Sequence, residues 1–321
     1  MRAMLRRSVF PFAASLLAAP VAFAWPDQSI RLVVPFTPAG GPDMIARFVA
    51  ERLASRLGQP VVVENLPGAS GNIGSQVVAR AKPDGNTIMS SVNTLVMNAS
   101  LFKNLPYDPV TDFAPISLTA WGSLVLVANP AQKPSTLAEF VAAAKAAPKT
   151  INYGSPGVGT PHHLSMALVE TETGIELVHV PYKGAAGALQ DLLGGQIGFM
   201  FQPVHVAMTY IKASKLKAIA VGSPKRLAVL PDVPTLIELG LKNADVDMWY
   251  ALFAPKDTPA DIVARYNKEV VAILGSDEAR QAFATQGLIP TTSTPVALGE
   301  IVARDRKRWA EIVARRGIAA E

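Results

Sequence analysis

Apolar and polar positions alternate between two periods along this chain, and they do so in a repeated order. The β-branched run Ile30-Arg31-Leu32-Val33-Val34 leads into Pro35-Phe36-Thr37-Pro38-Ala39-Gly40-Gly41, after which Ile45, Phe48, Val49 and Leu53 recur on one helical face. This pattern predicts strand, loop and helix. Pro42 suits a first helical turn, and Asp43 complements the positive end of the helix dipole. The order repeats with a strand over 61–65, a Gly-rich loop over 66–74 and a helix to about Ala81. Pro83-Asp84-Gly85 then turns the chain into a strand over 87–92. Such repetition predicts a parallel, helix-covered sheet that binds ligand at the carboxyl ends of its strands. The loops at 35–43, 65–74 and 91–98 are expected to share one rim.

The apolar stretch from Ile116 to Ala128 is about twice an ordinary strand. It reads as one strand leaving a first domain and another opening a second, with a hinge near Trp121-Gly122. A helix over 135–147, strand 151–154, helix 161–173, strand 176–181, helix 185–194 and strands 197–202 and 216–222 follow. Residues 246–254 read as a return crossing, with helices over 259–275, 277–286 and 295–316 packing back on the first domain. The expectation is an α/β chain with domain 1 at 25–120 plus 250–321 and domain 2 at 121–249. Two crossings make a two-lobed clam with ligand in the cleft, suited to hinge closure. Trp249 and Tyr250 read as core of the return strand in preference to an aromatic lid.

Composition narrows the class. Half of the 321 residues are hydrophobic and 17% are charged, enough for a large core. The net charge is +5, but Arg2, Arg6 and Arg7 sit in a basic start followed by an apolar run from Val9 to Phe23 and Ala22-Phe23-Ala24. Residues 1–24 therefore read as a signal peptide cleaved after Ala24. Pro11 and Pro20 interrupt the run, which is shorter than the roughly 20 residues of a membrane span. Arg6-Arg7 leaves general secretion and twin-arginine export both open. Setting those three arginines aside leaves 27 basic against 25 acidic residues, too balanced for nucleic-acid binding. With no cysteine, neither disulfides nor thiol chemistry enter, and a periplasmic location is expected.

Enzyme motifs are missing. The sequence holds no G-x-S-x-G, G-x-x-x-x-G-K-[ST] or H-E-x-x-H, and no G-x-G-x-x-G after a strand. His162 and His163 are adjacent and so do not share a helical face, which argues against metal ligation and for helix-terminal polar residues. His179 and His205 read as structural or surface residues. Lys183, beside Gly184, reads as a solvated residue or ligand contact in preference to a Schiff-base amine. No catalytic residue, metal or cofactor is expected. Gly40 and Gly41 lack Cβ atoms and let an anion approach backbone N–H groups closely. Related turns recur at 65–74, 154–163 and 183–187, so four loops are expected to close on one small acid.

Several ordered segments carry a specific resemblance. They are Val34-Pro35-Phe36 with Gly40-Gly41 and Asp43, Gly58-Gln59-Pro60 through Asn65, Pro67-Gly68-Ala69, Gly71-Asn72-Ile73-Gly74, Pro83-Asp84-Gly85, Pro181-Tyr182-Lys183-Gly184, Asp191 through Gln196, and Leu230-Pro231-Asp232-Val233-Pro234-Thr235. From about Trp25 to Ala314 the chain resembles the Bug-type receptors, the extracytoplasmic solute-binding proteins of tripartite tricarboxylate transporters. The resemblance implies a type II-like periplasmic-binding-protein fold, with two parallel or mixed sheets flanked by helices and a two-strand hinge. It also implies a monomer that hands a small carboxylate to membrane permease subunits; a co-receptor for a signalling sensor is the alternative. Ligand residues implied are Phe36, Thr37, Ala39, Gly40, Gly68, Ala69, Ser91, Asn93, Ser155, Thr160, His163 and Lys183. The chain departs from the family pattern at Gly198 and Gln202, where aspartates are usual, and its first loop is one residue short. Gln202 can only hydrogen-bond, so it joins the expected site and disfavours an amino-acid ligand.

Overall fold

The structure is a computed structural model that describes residues 25–242 and 247–316. The expected signal peptide, its cleavage site and the start of the return crossing at 246 lie outside the described residues. In chain order the first elements are β1 (Ile30–Val34), α1 (Gly41–Leu57), β2 (Val61–Asn65), a 3-10 turn (Ala69–Gly71), α2 (Asn72–Ala79), β3 (Thr87–Val92), α3 (Thr94–Leu101) and β4 (Phe113–Gly122). There follow β5 (Leu124–Ala128), α4 (Leu137–Ala146), β6 (Asn152–Ser155), α5 (Pro161–Thr173), β7 (Val178–Pro181), α6 (Ala185–Gly194), β8 (Phe199–Pro203), α7 (Val204–Lys212) and β9 (Lys217–Val221). The chain ends with β10 (Met248–Pro255), α8 (Ala260–Leu274), α9 (Asp277–Ala284), β11 (Leu288–Pro290) and α10 (Pro295–Arg316).

Two mixed sheets result. The first runs β11-β4-β10-β3-β1-β2 and the second β7-β6-β8-β5-β9. β1 is parallel to β2 and β3, while β10 returns antiparallel between β3 and β4. β6 is likewise parallel to β7 and β8, and β5 is antiparallel to β8 and β9. Central strands covered by helices on both faces need near-continuous apolar runs. β5 (Leu-Val-Leu-Val-Ala) and β10 (Met-Trp-Tyr-Ala-Leu-Phe-Ala-Pro) are accordingly buried throughout.

One core cluster runs from Ile45, Val49 and Leu53 of α1 through β1 and β10 into Leu126, Phe140 and Phe199. Two smaller clusters seal the outer faces, around Trp309 of α10 on the first sheet and Leu192 of α6 on the second. The long apolar stretch divides at Ser123, between β4 and β5. The Ser123 hydroxyl donates to the Asp247 carboxylate at 2.8 Å, so the two connections between the sheets are tied together.

Three elements differ from the sequence-based expectation. The 91–98 segment is not an open loop, because α3 begins at Thr94. Val204–Lys212 is helical despite β-branched Val204, Val206, Thr209 and Ile211, since Val204, Ala207 and Met208 find a buried face. β11 has three residues and pairs only at the sheet edge with β4, too short to announce itself by periodicity.

Candidate ligand-binding site

The first loop is held by Asp43. This carboxylate is 3% exposed and accepts from the Ala39 backbone N–H at 3.0 Å, Arg47 Nε at 3.0 Å and Asn65 Nδ2 at 2.9 Å. Burial alone raises its pKa, yet these hydrogen bonds hold it below the usual carboxylate value. Ala39 is thereby fixed in a left-handed conformation, φ 65°, and Asn65 also donates to the Phe36 carbonyl at 3.1 Å.

The second loop carries positive φ at Gly68 (130°), Ala69 (46°), Ser70 (54°) and Gly71 (90°). Two successive non-glycine residues there cost on the order of 1 kcal/mol each. A buried network offsets this: Asn98 Nδ2 donates to the Ser70 carbonyl at 3.0 Å and to Asn72 Oδ1 at 2.6 Å, and the Tyr107 hydroxyl donates to the same Oδ1 at 2.8 Å. In the second lobe, the Tyr182 and Gly184 N–H groups donate to the Ser155 and Pro156 carbonyls, joining the loops after β6 and β7.

These loops enclose a cavity of about 590 Å³ between the sheets. Of the expected ligand residues it brings together Phe36, Thr37, Gly40, Gly68, Ala69, Thr160, Lys183 and Gln202. Five others stand behind or beside it. Ala39 is turned toward Asp43. Ser91 lies on the face of β3 opposite Val92, which does line the cavity. Asn93 donates to the Asp247 carbonyl at 3.2 Å and borders a separate pocket with Trp121 and Trp309. The Ser155 hydroxyl donates to the Gly157 carbonyl at 2.9 Å and lies 2.6 Å from His179 Nε2. His163 Nδ1 accepts from the Gly159 N–H at 3.0 Å while its ring stacks on His179 with centroids 4.0 Å apart.

The cavity also takes residues that sequence reading missed. Trp249 and Tyr250 divide between two faces: the Trp249 indole N–H donates to buried Asp305 at 2.8 Å, whereas Tyr250 lines the cavity with Met248. His162 lines it as well, and neither ring nitrogen has a partner. Strand alternation across Trp249-Tyr250 was the available signal for the first; none marked His162. Gly198 is remote from the cavity, packed against the Gln132 side chain, so of the two departures only Gln202 faces ligand space.

Helix starts dominate the electrostatics. α1, α2, α3, α5, α6 and α7 all begin at this cavity, with Gly40, Gly71, Thr94, Thr160, Gly184 and Pro203 in its lining. None of the six carries a side-chain N-cap hydrogen bond. Away from it, α4 has a full capping box from Thr136 and Glu139 and α9 is capped by Ser276, though α8, after Pro259, is uncapped too. First-turn N–H groups without side-chain caps favour an anion by about 0.3–1 kcal/mol per helix, and up to about 2 kcal/mol when partly buried. Among the described lining residues Lys183 is the one cation, and no carboxylate is present.

Two mixed sheets with an anion-attracting cavity between them define the two-lobed fold of periplasmic binding proteins. Residues 45–318 match the tripartite tricarboxylate transporter family receptor, TctC, and the chain belongs to that family. It is 36% identical over 304 residues to protein BugT of Bordetella pertussis, covering 94% of this chain and 93% of BugT. The structure of periplasmic binding protein BugD is 34% identical, with a TM-score of 0.87 over 92% of this chain and all of BugD. Rpa4515 of R. palustris, solved with adipate, is 33% identical with a TM-score of 0.88, covering 92% of this chain and 99% of that one.

Proposed function

We propose that this chain is a periplasmic solute-binding receptor that captures a small carboxylic acid in the inter-sheet cavity and delivers it to the permease subunits of a tripartite tricarboxylate transporter. The observation that carries this reading is the convergence of six helix starts without side-chain caps on one cavity, with a single cation among its described lining residues. Such a site holds a carboxylate by backbone dipoles and hydrogen bonds, and releases it without breaking a buried ion pair. The adipate held by a relative at 33% identity supports the acid class.

Phe36, Thr37, Gly40, Gly68, Ala69, Thr160, Lys183 and Gln202 contact the ligand, Ala39, Ser155 and His163 hold those loops, and Ser91 and Asn93 stand outside the contacts. With Gln202 in place of an acid, nothing in the described lining pairs an ammonium group, so amino acids are disfavoured. The protein is exported as a monomer with cleavage after Ala24, and it binds without catalysis.

A thermal-shift screen of residues 25–321 against carboxylic acids, amino acids and sugars tests this. A carboxylic acid is expected to raise the melting temperature, with about 2.7 kcal/mol of added stability at one hundred times its dissociation constant. Shifts confined to sugars contradict it, and shifts confined to amino acids overturn the Gln202 argument while the receptor class stands.

A further inference from the structure

One wall of the cavity is built differently from the rest. It comprises the first turns of α1, α5 and α7, the end of β8 and Tyr250 of β10, and it keeps buried polar atoms without partners. Gln202 is 1% exposed; its Oε1 is unpartnered, while its Nε2 faces only Met200 Sδ at 3.1 Å. His162 is 7% exposed with both ring nitrogens unpartnered, and His205 Nε2, which stands behind Gly41 and outside the cavity lining, is unpartnered too. The groups are neighbours. A Cβ on Gly41 would stand 2.7 Å from the Tyr250 hydroxyl and 2.8 Å from the His205 ring, so the glycine keeps this corner open. The two imidazoles lie close enough that protonation of His205 would lower the His162 pKa further, and Gln202 precedes His205 where β8 turns into α7.

A buried polar atom without a partner costs about 1–3 kcal/mol, so those of Gln202 and His162 in the cavity lining mark where ligand atoms belong. Their chemistry selects the group. Gln202 Oε1 only accepts, and each neutral imidazole offers one donor and one acceptor. Burial holds His162 at about 3 and His205 at about 4, so both are neutral at neutral pH. A second carboxylate would suit the three helix N-termini, but it would set its acceptors against Gln202 Oε1 with no Lys or Arg in the described lining of this wall. An ammonium group would supply donors, but it would face three helix N-termini and no carboxylate. A hydroxyl or primary amide donates and accepts without charge.

We propose that this wall is a subsite for a neutral hydrogen-bond-donating group, a hydroxyl or a primary amide, at the end of the ligand remote from its carboxylate. The cargo is then a hydroxy- or amide-bearing monocarboxylic acid in preference to a dicarboxylic acid. This rests on the receptor reading above and narrows its ligand class.

Calorimetry on residues 25–321 with two matched series tests it: benzoate, 4-hydroxybenzoate, 4-methoxybenzoate and terephthalate, then hexanoate, 6-hydroxyhexanoate and adipate. Within whichever series binds, the hydroxy acid is expected to bind about tenfold or more tighter than its parent acid and its diacid, and the methoxy acid to lose that gain. Gln202→Leu should shrink the hydroxy-to-parent ratio to about threefold or less. The methoxy comparison decides the matter in the wild-type protein even if that variant fails to fold. Tighter binding of terephthalate or adipate, or equal binding of hydroxy and methoxy acids, overturns the subsite while leaving the receptor reading intact. Binding of no acid at all overturns the receptor reading and the subsite with it.

Discussion

The four histidines of the chain are all drawn below the ordinary imidazole pKa by burial: His162 and His179 to about 3, His163 and His205 to about 4. In the unfolded chain each titrates near 6.5, so below that pH the unfolded state binds protons that the native state does not. The stability this represents is complete above about pH 6.5 and is lost as pH falls toward the folded values, by up to about 1.4 kcal/mol per pH unit for each histidine. Carboxylates held low, such as Asp43, act in the same direction but only at lower pH. Denaturant melts at pH 7, 6 and 5 are therefore expected to show stability falling with pH, more gently in His162→Gln. Stability that is flat or rising from pH 7 to pH 5 contradicts the buried, neutral histidines.

At the scale of elements, the contrast between capped and uncapped helices separates stability from binding. Thr136→Ala in α4 removes a hydroxyl that accepts from the Glu139 N–H at 3.2 Å, far from the cavity. It is expected to lower unfolding free energy by about 1 kcal/mol and leave ligand affinity unchanged. Tyr107→Phe removes the 2.8 Å bond to Asn72 that braces the strained loop at 69–71, and should cost about 1 kcal/mol of stability and weaken ligand binding as well. Chemical denaturation and calorimetry on both variants check the pair; equal effects on affinity contradict the division. Elements with strong periodicity and clear punctuation were legible in the sequence. The β1–α1 unit announces itself through a β-branched run, Pro42 and a helical stripe, and β4 and β5 through a stretch too long for one strand. α3 and α7 were not legible, because their helical state is set by the faces that tertiary packing offers to Val96, Val204 and Met208.

At the scale of the whole molecule, function rests on two sheets bringing loops from distant parts of the chain to one cavity. The Ser70 hydroxyl donates to the Val158 carbonyl at 3.2 Å, so loops 88 residues apart meet across the cleft. Glycine loops at strand ends could be read from sequence because close approach to an anion demands them. Which neighbouring side chains face the ligand could not. Ala39 is claimed by Asp43, Ser91 by strand alternation and His163 by the stack with His179, whereas His162 and Tyr250 turn inward only because α5 and β10 pack where they do. The central claim is that helix starts at this cavity hold a carboxylate. It is tested most directly by calorimetry on residues 25–321 with the acid giving the largest thermal shift and with its primary amide. The acid is expected to bind about a hundredfold or more tighter than the amide, since the amide keeps the shape but turns one acceptor into a donor and loses the charge that the helix dipoles attract. Equal affinity for the two would contradict it.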